Sequence, residues 1–171
     1  MNDTTIDKLE FGEIREVIAR LCSTAIGKKN AASMTPTTKS KLVKQWLTQV
    51  REMIDVVDVH GYPPFGGVQD IRPSVRASSF PTPLEADALC DIASTLLSTG
   101  PIFRWMEKVA DEVPSLSGLA ERIMDLTFLA DVINESIDPR GEVRDYASPR
   151  LAQIRKGIDQ TRDRIHIVVE R

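Results

Sequence analysis

Ser148-Pro149-Arg150-Leu151-Ala152-Gln153-Ile154-Arg155-Lys156-Gly157-Ile158 opens a helix with a well-made start. The Ser148 hydroxyl can accept a hydrogen bond from a first-turn N–H, and Pro149 suits the first helical position, whose N–H has no partner within a helix. Leu151, Ile154, Ile158, Ile165, Val168 and Val169 then recur at helical spacing and draw an apolar stripe. The stripe is still running at Ile165-His166-Ile167-Val168-Val169-Glu170-Arg171, with neither a Gly cap nor a Pro after it. Such a stripe needs a surface to lie against. The sequence is therefore expected to be part of a larger protein, cut within a long helix; a natural end with a frayed last turn is the alternative.

Working outward from that helix, the pattern is helical almost throughout. Ile6, Leu9, Ile14, Val17, Ile18 and Leu21 share a helical face, with Asp3 or Thr5 available as a cap. A short helix is expected over Ala25–Ser33, ended by Thr35-Pro36, because a residue before Pro avoids the α region. A long one follows from about Thr38 to His60, with Leu42, Val43, Trp46, Leu47, Val50, Ile54 and Val57 as its buried face and Gly61 closing it. Residues 61–83 hold five of the ten prolines and read as an ordered, turn-rich connection with a helical turn near Asp70–Ala77. Thr82-Pro83-Leu84-Glu85 has capping-box spacing and predicts a helix to about Thr99, punctuated by Gly100-Pro101. Further helices are expected at 102–112, 115–123 and 126–136, and a tight reversal over Ile137–Asp145 with two or three residues in extended pairing. No internal repeat or low-complexity tract interrupts the chain.

The totals exclude several classes. A chain of 171 residues with 42% hydrophobic and 27% charged content can build one packed domain and is not a disordered tail. The net charge of −3 argues against a generally basic nucleic-acid binder, yet residues 140–171 carry +3 against −6 for residues 1–139. A basic end on an acidic body is either a face for a polyanion or acidic partner, or a solvated helix surface. Cys22 and Cys90 stand in apolar helical segments at no metal or redox spacing, which fits free thiols in a reducing cytoplasm. The N-terminus lacks the basic start and apolar run of a signal peptide, and no stretch approaches the ~20 apolar residues of a membrane span.

No motif carries chemistry. Gly27-Lys28-Lys29 lacks the upstream Gly, the following hydroxyl residue and the preceding strand of a phosphate-binding loop. Gly66-Gly67 is explained by a turn. His60 and His166 are at no metal-ligand spacing; His60 suits a helix C-terminus, where a cation is favoured. Trp46 and Trp105 fall on apolar helical faces and read as packing residues rather than base-stacking platforms. Catalytic, cofactor-binding and metal-binding residues are all assigned as none. The candidates for nucleic-acid contact are Arg150, Arg155, Lys156, Arg162 and Arg164 on the final helix, interleaved with Asp159 and Asp163. Arg155 and Asp159 can pair at i,i+4, which weakens the case for a dedicated basic stripe.

Three stretches taken together resemble a known family. They are Leu9-Glu10-Phe11 with Ile14, Ser23 and Gly27-Lys28; Pro63-Pro64-Phe65-Gly66-Gly67-Val68-Gln69-Asp70-Ile71-Arg72-Pro73; and Gly141-Glu142-Val143-Arg144-Asp145-Tyr146-Ala147-Ser148-Pro149 with Leu151 and Ile154-Arg155. In this order and spacing they are similar to the N-terminal part of the bacterial MutS paralogue MutS-two. Tyr146 and Phe65 depart from the pattern, where a small polar residue and Leu are usual. The resemblance implies an all-α fold: an irregular multi-helix core domain over 1–145, and over 146–171 the start of a lever helix leading to a clamp that this sequence does not include. One very short hairpin near 138–145 is compatible with it.

The resemblance further implies a parent protein with an ABC-type ATPase domain using ATP and Mg, commonly followed by a small nuclease-like domain, and forming a homodimer. Such parents are linked to branched-DNA binding, suppression of recombination and rescue of stalled ribosomes. No position here matches the ATPase or nuclease motifs, so the 171 residues are expected to be a non-catalytic, cytoplasmic element coupling the ATPase to the clamp. Their partners would be the remainder of their own chain and, through the parent, DNA or the ribosome. Asp70, Arg72, Arg144 and Asp145 are the expected anchors of the two loops, although ordinary loop ion pairs and caps explain them equally well. The competing readings are a stand-alone α-helical protein-interaction module and an enzyme whose site has no recognisable motif.

Overall fold

The computed structural model describes residues 9–169, with the side chain of Val169 left out. Eight α-helices are present among the described residues: α1 (Phe11–Leu21), α2 (Ala25–Ala32), α3 (Ser40–His60), α4 (Arg72–Ala77), α5 (Ala86–Val109), α6 (Ser117–Ala120), α7 (Thr127–Ser136) and α8 (Pro149–Val169). The β structure among the described residues is a single antiparallel bridge, Ile137 to Val143. The fold is all-α, with the short pairing in the expected reversal. Ile6, Asp3 and Thr5, assigned above to the first helix and its cap, lie outside the described residues.

The helices form two compact units that do not follow chain order. One runs to Asp70 and takes in Ser94–Thr127; the other holds Ile71–Ala93 and the chain from Phe128 onward. In the first, α1 packs on α2, and α3 meets a 3-10 turn at Pro114–Leu116. Its small core is Val56, Val109 and Val113, all but solvent-free, with Trp105, Met106 and Leu116 packed against them. Polar bonds close the same seam. Ser115 donates its backbone N–H (3.0 Å) and its hydroxyl (2.6 Å) to Glu52 Oε2, Gln49 donates to the Ser115 carbonyl (3.0 Å), and His60 Nε2 meets Glu112 Oε1 at 2.7 Å.

Local signals placed several boundaries. Thr24 Oγ1 accepts the Gly27 N–H at 3.0 Å to start α2. Gly61, with φ +76°, closes α3 by donating its N–H to the Val57 carbonyl. Glycine adopts that left-handed region without the Cβ clash other residues meet there.

Four expectations are corrected. The helix after residue 82 begins at Ala86, past the capping-box spacing, with the Leu89 N–H on the Glu85 carbonyl. It then continues through Gly100-Pro101 to Val109 instead of stopping at Thr99. Pro101 deprives the helix of one N–H donor. In the preceding turn Thr99 donates its hydroxyl to the Leu96 carbonyl (2.6 Å), and the Ser98 oxygen also lies 3.0 Å from the Ser94 carbonyl. Gly100 is fixed by close approach, since a Cβ there would lie 2.8 Å from Thr127 Oγ1 and 2.9 Å from Asp125 Oδ2.

The helix expected over 115–123 contracts to the 3-10 turn plus α6, because Ser115 is committed to Glu52 and Gly118 adds little helix propensity. The stripe assigned as the buried face of α3 is largely solvent-facing: Trp46 is 47% exposed, Leu47 64% and Ile54 56%. The side that packs is marked instead by Val56, with Gln49 and Glu52 beside it.

Candidate functional site

Two loops carry the conspicuous sequence signals, and each is held by a dense set of bonds within its own unit. The first is Pro63–Asp70. The Phe65 N–H meets the Pro63 carbonyl and the Val68 N–H meets the Phe65 carbonyl, which curls the chain so that Gly66 and Gly67 lie on α5. There a row of hydroxyls receives them. Ser98 donates to the Gly66 carbonyl (2.6 Å), Ser94 donates to the Gly67 carbonyl (3.1 Å), and Thr95 Oγ1 accepts the Gln69 N–H (3.0 Å). Gly67 has φ +85°, and a Cβ on it would stand 2.8 Å from Ser98 Oγ. The glycine pair is thus a close-packing device against a helix. The sequence signals above do not single out Ser94, Thr95 and Ser98, although three hydroxyls clustered within about a turn and a half of an apolar helix are a legible sign of such docking. Beside this loop, Cys22, Thr24, Met53, Val57, Tyr62 and Phe65 contribute to a mainly apolar hollow of about 950 Å³.

The second loop is the reversal before α8. Asp138 organises it: its Oδ1 accepts the N–H groups of Arg140 (2.8 Å) and Glu142 (2.9 Å), while its own N–H goes to the Glu142 carbonyl (2.9 Å). The Glu142 N–H chiefly, then that of Arg140, and then the guanidinium charges of Arg144 and Arg140, outweigh partial desolvation and hold the Asp138 carboxyl below the usual carboxylate range. Gly141 has φ +81°, and a Cβ there would come within 2.8 Å of Asp87 Oδ1. Arg144 is doubly fixed, its backbone N–H on the Ser136 carbonyl and its Nε on the Asn134 carbonyl, both at 2.9 Å, with its guanidinium 5.9 Å from the centroid of the Tyr146 ring. Asp145 forms an ion pair with Arg155, and Ser148 Oγ accepts the Leu151 N–H at 3.2 Å. The start of α8 is therefore set by the N-cap expected from sequence, braced by a charge pair to its second turn.

Both units contain helices with exposed apolar faces and polar loops fixed by internal bonds. Among the described residues no three His, Cys, Asp or Glu side chains gather as a metal site, and no helix is long and apolar enough to cross a membrane.

No family model matches the chain. Curated relatives do. An endonuclease MutS2 from a Geobacillus species is 30% identical over 173 aligned positions, spanning 99% of this chain and 22% of that protein. Endonuclease MutS2 from Halalkalibacterium halodurans is 30% identical over 154, spanning 88% of this chain and 20% of that protein. The one from Symbiobacterium thermophilum is 30% identical over 158, with 92% and 20% spanned. The chain is homologous to a segment of the MutS2 proteins. It spans about a fifth of the length of the curated relatives it matches.

The residues singled out from sequence are spread over both loops and α8. Arg144 and Asp145 meet at the base of α8 as parts of the same reversal. Asp70, half-buried, ends the glycine loop, and Arg72 is the first residue of α4. Arg150, Arg155, Lys156, Arg162 and Arg164 all lie on α8, but not on one side of it. With about 3.6 residues per turn, Arg150 and Arg164 flank one edge of the apolar stripe, Arg155 and Arg162 flank the other, and Lys156 falls on the far side with Asp159 and Asp163.

Proposed function

We propose that these 171 residues are the core and the root of the lever of a MutS2-type protein: 1–145 the helical core domain, 146–171 the start of a lever helix leading to a clamp. The segment has no catalytic role of its own. It couples an ATPase domain elsewhere in the parent, loaded with ATP and Mg, to the clamp. The parent acts in the cytoplasm as a homodimer on branched DNA, restraining recombination, or on stalled ribosomes. The observation that carries this reading is the near end-to-end match of the chain to about a fifth of each MutS2 relative.

The physical support is the construction of α8. A stiff helix rooted by a cap, an ion pair and a glycine-dependent reversal can carry displacement outward, because close-packed attachments transmit motion rather than absorbing it. The exposed apolar stripes on α3 and α8 suit a segment that is covered by the rest of its own protein.

The test is to read the gene past the codon for Arg171. A frame continuing through a long helical region into G-x-x-x-x-G-K-[ST] is the expected result. A stop codon directly after Arg171 removes the ATP-driven reading and leaves a small helical interaction module. In a full-length protein, hydrogen exchange along α8 should respond to a non-hydrolysed ATP analogue; indifference to nucleotide would sink the coupling role.

A further inference from the structure

We infer that one edge of α3, with the turn that leads into it, is a surface for the phosphate backbone of a nucleic-acid duplex, bound without reading its sequence. The acidic body of the chain is not uniformly acidic. From Ala25 through Arg51 it holds Lys28, Lys29, Lys39, Lys41, Lys44 and Arg51 and no Asp or Glu, a local charge of +6 in a chain of net charge −3. All six side chains are exposed, and among the described residues none of them is in an ion pair. Lys41, Lys44, Thr48 and Arg51 recur at spacings of three and four, so they share one edge of α3, about 15 Å long at ~1.5 Å per residue. Asp55, one turn further on, bounds it. Gln49 and Val56 mark a different side of the helix, the one that packs.

The charge is placed against the helix that carries it. Lys39 caps the start of α3, Lys41 lies in its first turn, and neither α2 nor α3 has an acidic residue in its first turn. Cations at that end oppose the helix dipole and cost helix stability. An anionic ligand reverses the sign. The turn between the helices adds Thr35, Thr38 and Ser40, exposed hydroxyls of the kind that donate to phosphate oxygens alongside Lys and Arg. On α8, by contrast, Asp159 and Asp163 are interleaved with the Arg residues, and Arg155 is engaged by Asp145. The length of the α3 edge calls for a linear polyanion: a duplex strand advances ~3.4 Å per phosphate, so the edge spans about four. Single strands are held largely by stacking on aromatic side chains. Residues 25–45 include none, and Trp46 falls on roughly the opposite side of α3 from Lys41, Lys44 and Arg51. A duplex is therefore the better fit. The assignment rests on the nucleic-acid part of the proposed function, with the contact on α3 instead of α8.

The test is fluorescence anisotropy of the full 171-residue chain with a labelled DNA duplex and a labelled RNA duplex, beside a single strand and a polyglutamate peptide, across a range of salt. At least one duplex should bind, with a slope of log affinity on log salt of ~−3.6, about 0.9 for each of Lys39, Lys41, Lys44 and Arg51. Replacing Lys41, Lys44 and Arg51 together by Gln should weaken binding at least about tenfold and cut the slope by ~2.7, with no lowering of the circular dichroism melt. Lys41→Arg with Lys44→Arg should preserve both affinity and slope, and Gln at Arg150, Arg162 and Arg164 should leave the slope unchanged. The duplex held more tightly identifies the source of the phosphates. Binding of neither duplex, tighter binding of the single strand or of polyglutamate than of both duplexes, a slope that survives the three Gln replacements, or one that falls as far with Gln at Arg150, Arg162 and Arg164 would each overturn the proposal. Failure to bind a duplex would leave the coupling role intact, since hydrogen exchange along α8 in the full-length protein tests that role separately.

Discussion

At its first two turns α8 is held by the Ser148 cap, by Arg155 on Asp145, and by the reversal that Asp138, Gly141 and Arg144 build; further along, Ile158 and Ile165 are more than half exposed. Both stretches belong to one helix with one apolar stripe. The base is ordered by hydrogen bonds and charge pairs whose partners are close in sequence or, for the Asp138 carbonyl with the Cys90 thiol, on α5. The shaft is helical through its own backbone ladder and offers its apolar side outward. The base is thus tied into the fold, while the apolar side of the shaft is left open. Substitutions should separate the two: the base should answer in melting, and the shaft should not.

The largest effect is expected at Gly141. Gly141→Val forces a β-branched residue into φ +81° and drives its Cβ toward Asp87, and should lower stability by about 2–3 kcal/mol in urea denaturation. A loss below ~1 kcal/mol would mean that the reversal yields easily and the base is no firmer than the shaft. Next is Ser148→Ala, which removes the acceptor for the Leu151 N–H and should cost ~1 kcal/mol, with hydrogen exchange quickened in the first turn of α8. Exchange unchanged there would show that Pro149 and the Arg155–Asp145 pair suffice.

Acid should bear on the base through Asp138. Its carboxyl titrates lower in the folded chain than in the unfolded one, so its stabilisation is fully present above about pH 5, a unit over the ordinary carboxylate value, and is lost as the pH falls through the folded value. Asp125, held low by the Thr127 hydroxyl first and then the Thr127 N–H, adds the same sign in the other unit. Asp138→Asn keeps an oxygen acceptor but removes the charge, and should flatten the decline in stability between about pH 5 and pH 3, read by urea midpoints across that range (about one unit either side of an ordinary carboxylate). A slope identical to that of the unaltered chain would remove Asp138 from the account. The smallest effect on folding belongs to the shaft: Ile158→Ser should change stability by no more than ~0.5 kcal/mol, because the side chain is already exposed. A loss of about 2 kcal/mol or more, the cost of a core truncation, would place Ile158 in the fold and erase the distinction between base and shaft.

The sequence by itself determined the helical class, the start of α8 and the end of α3, because caps and helix-ending glycines act over a few residues: Ser148 with Pro149, and Gly61, are local facts. It also contained the family resemblance, which lay in loops whose glycines and charged residues are specific. The tertiary structure alone decided whether Gly100-Pro101 would stop a helix. There the glycine is packed closely against Asp125 and Thr127 from a segment well downstream, which no local pattern announces. It likewise decided which face of α3 is covered. Periodicity marks a side of a helix as apolar, but burial requires a neighbour on that side, and here the packed neighbour meets Val56 and Glu52 while Trp46, Leu47 and Ile54 face outward.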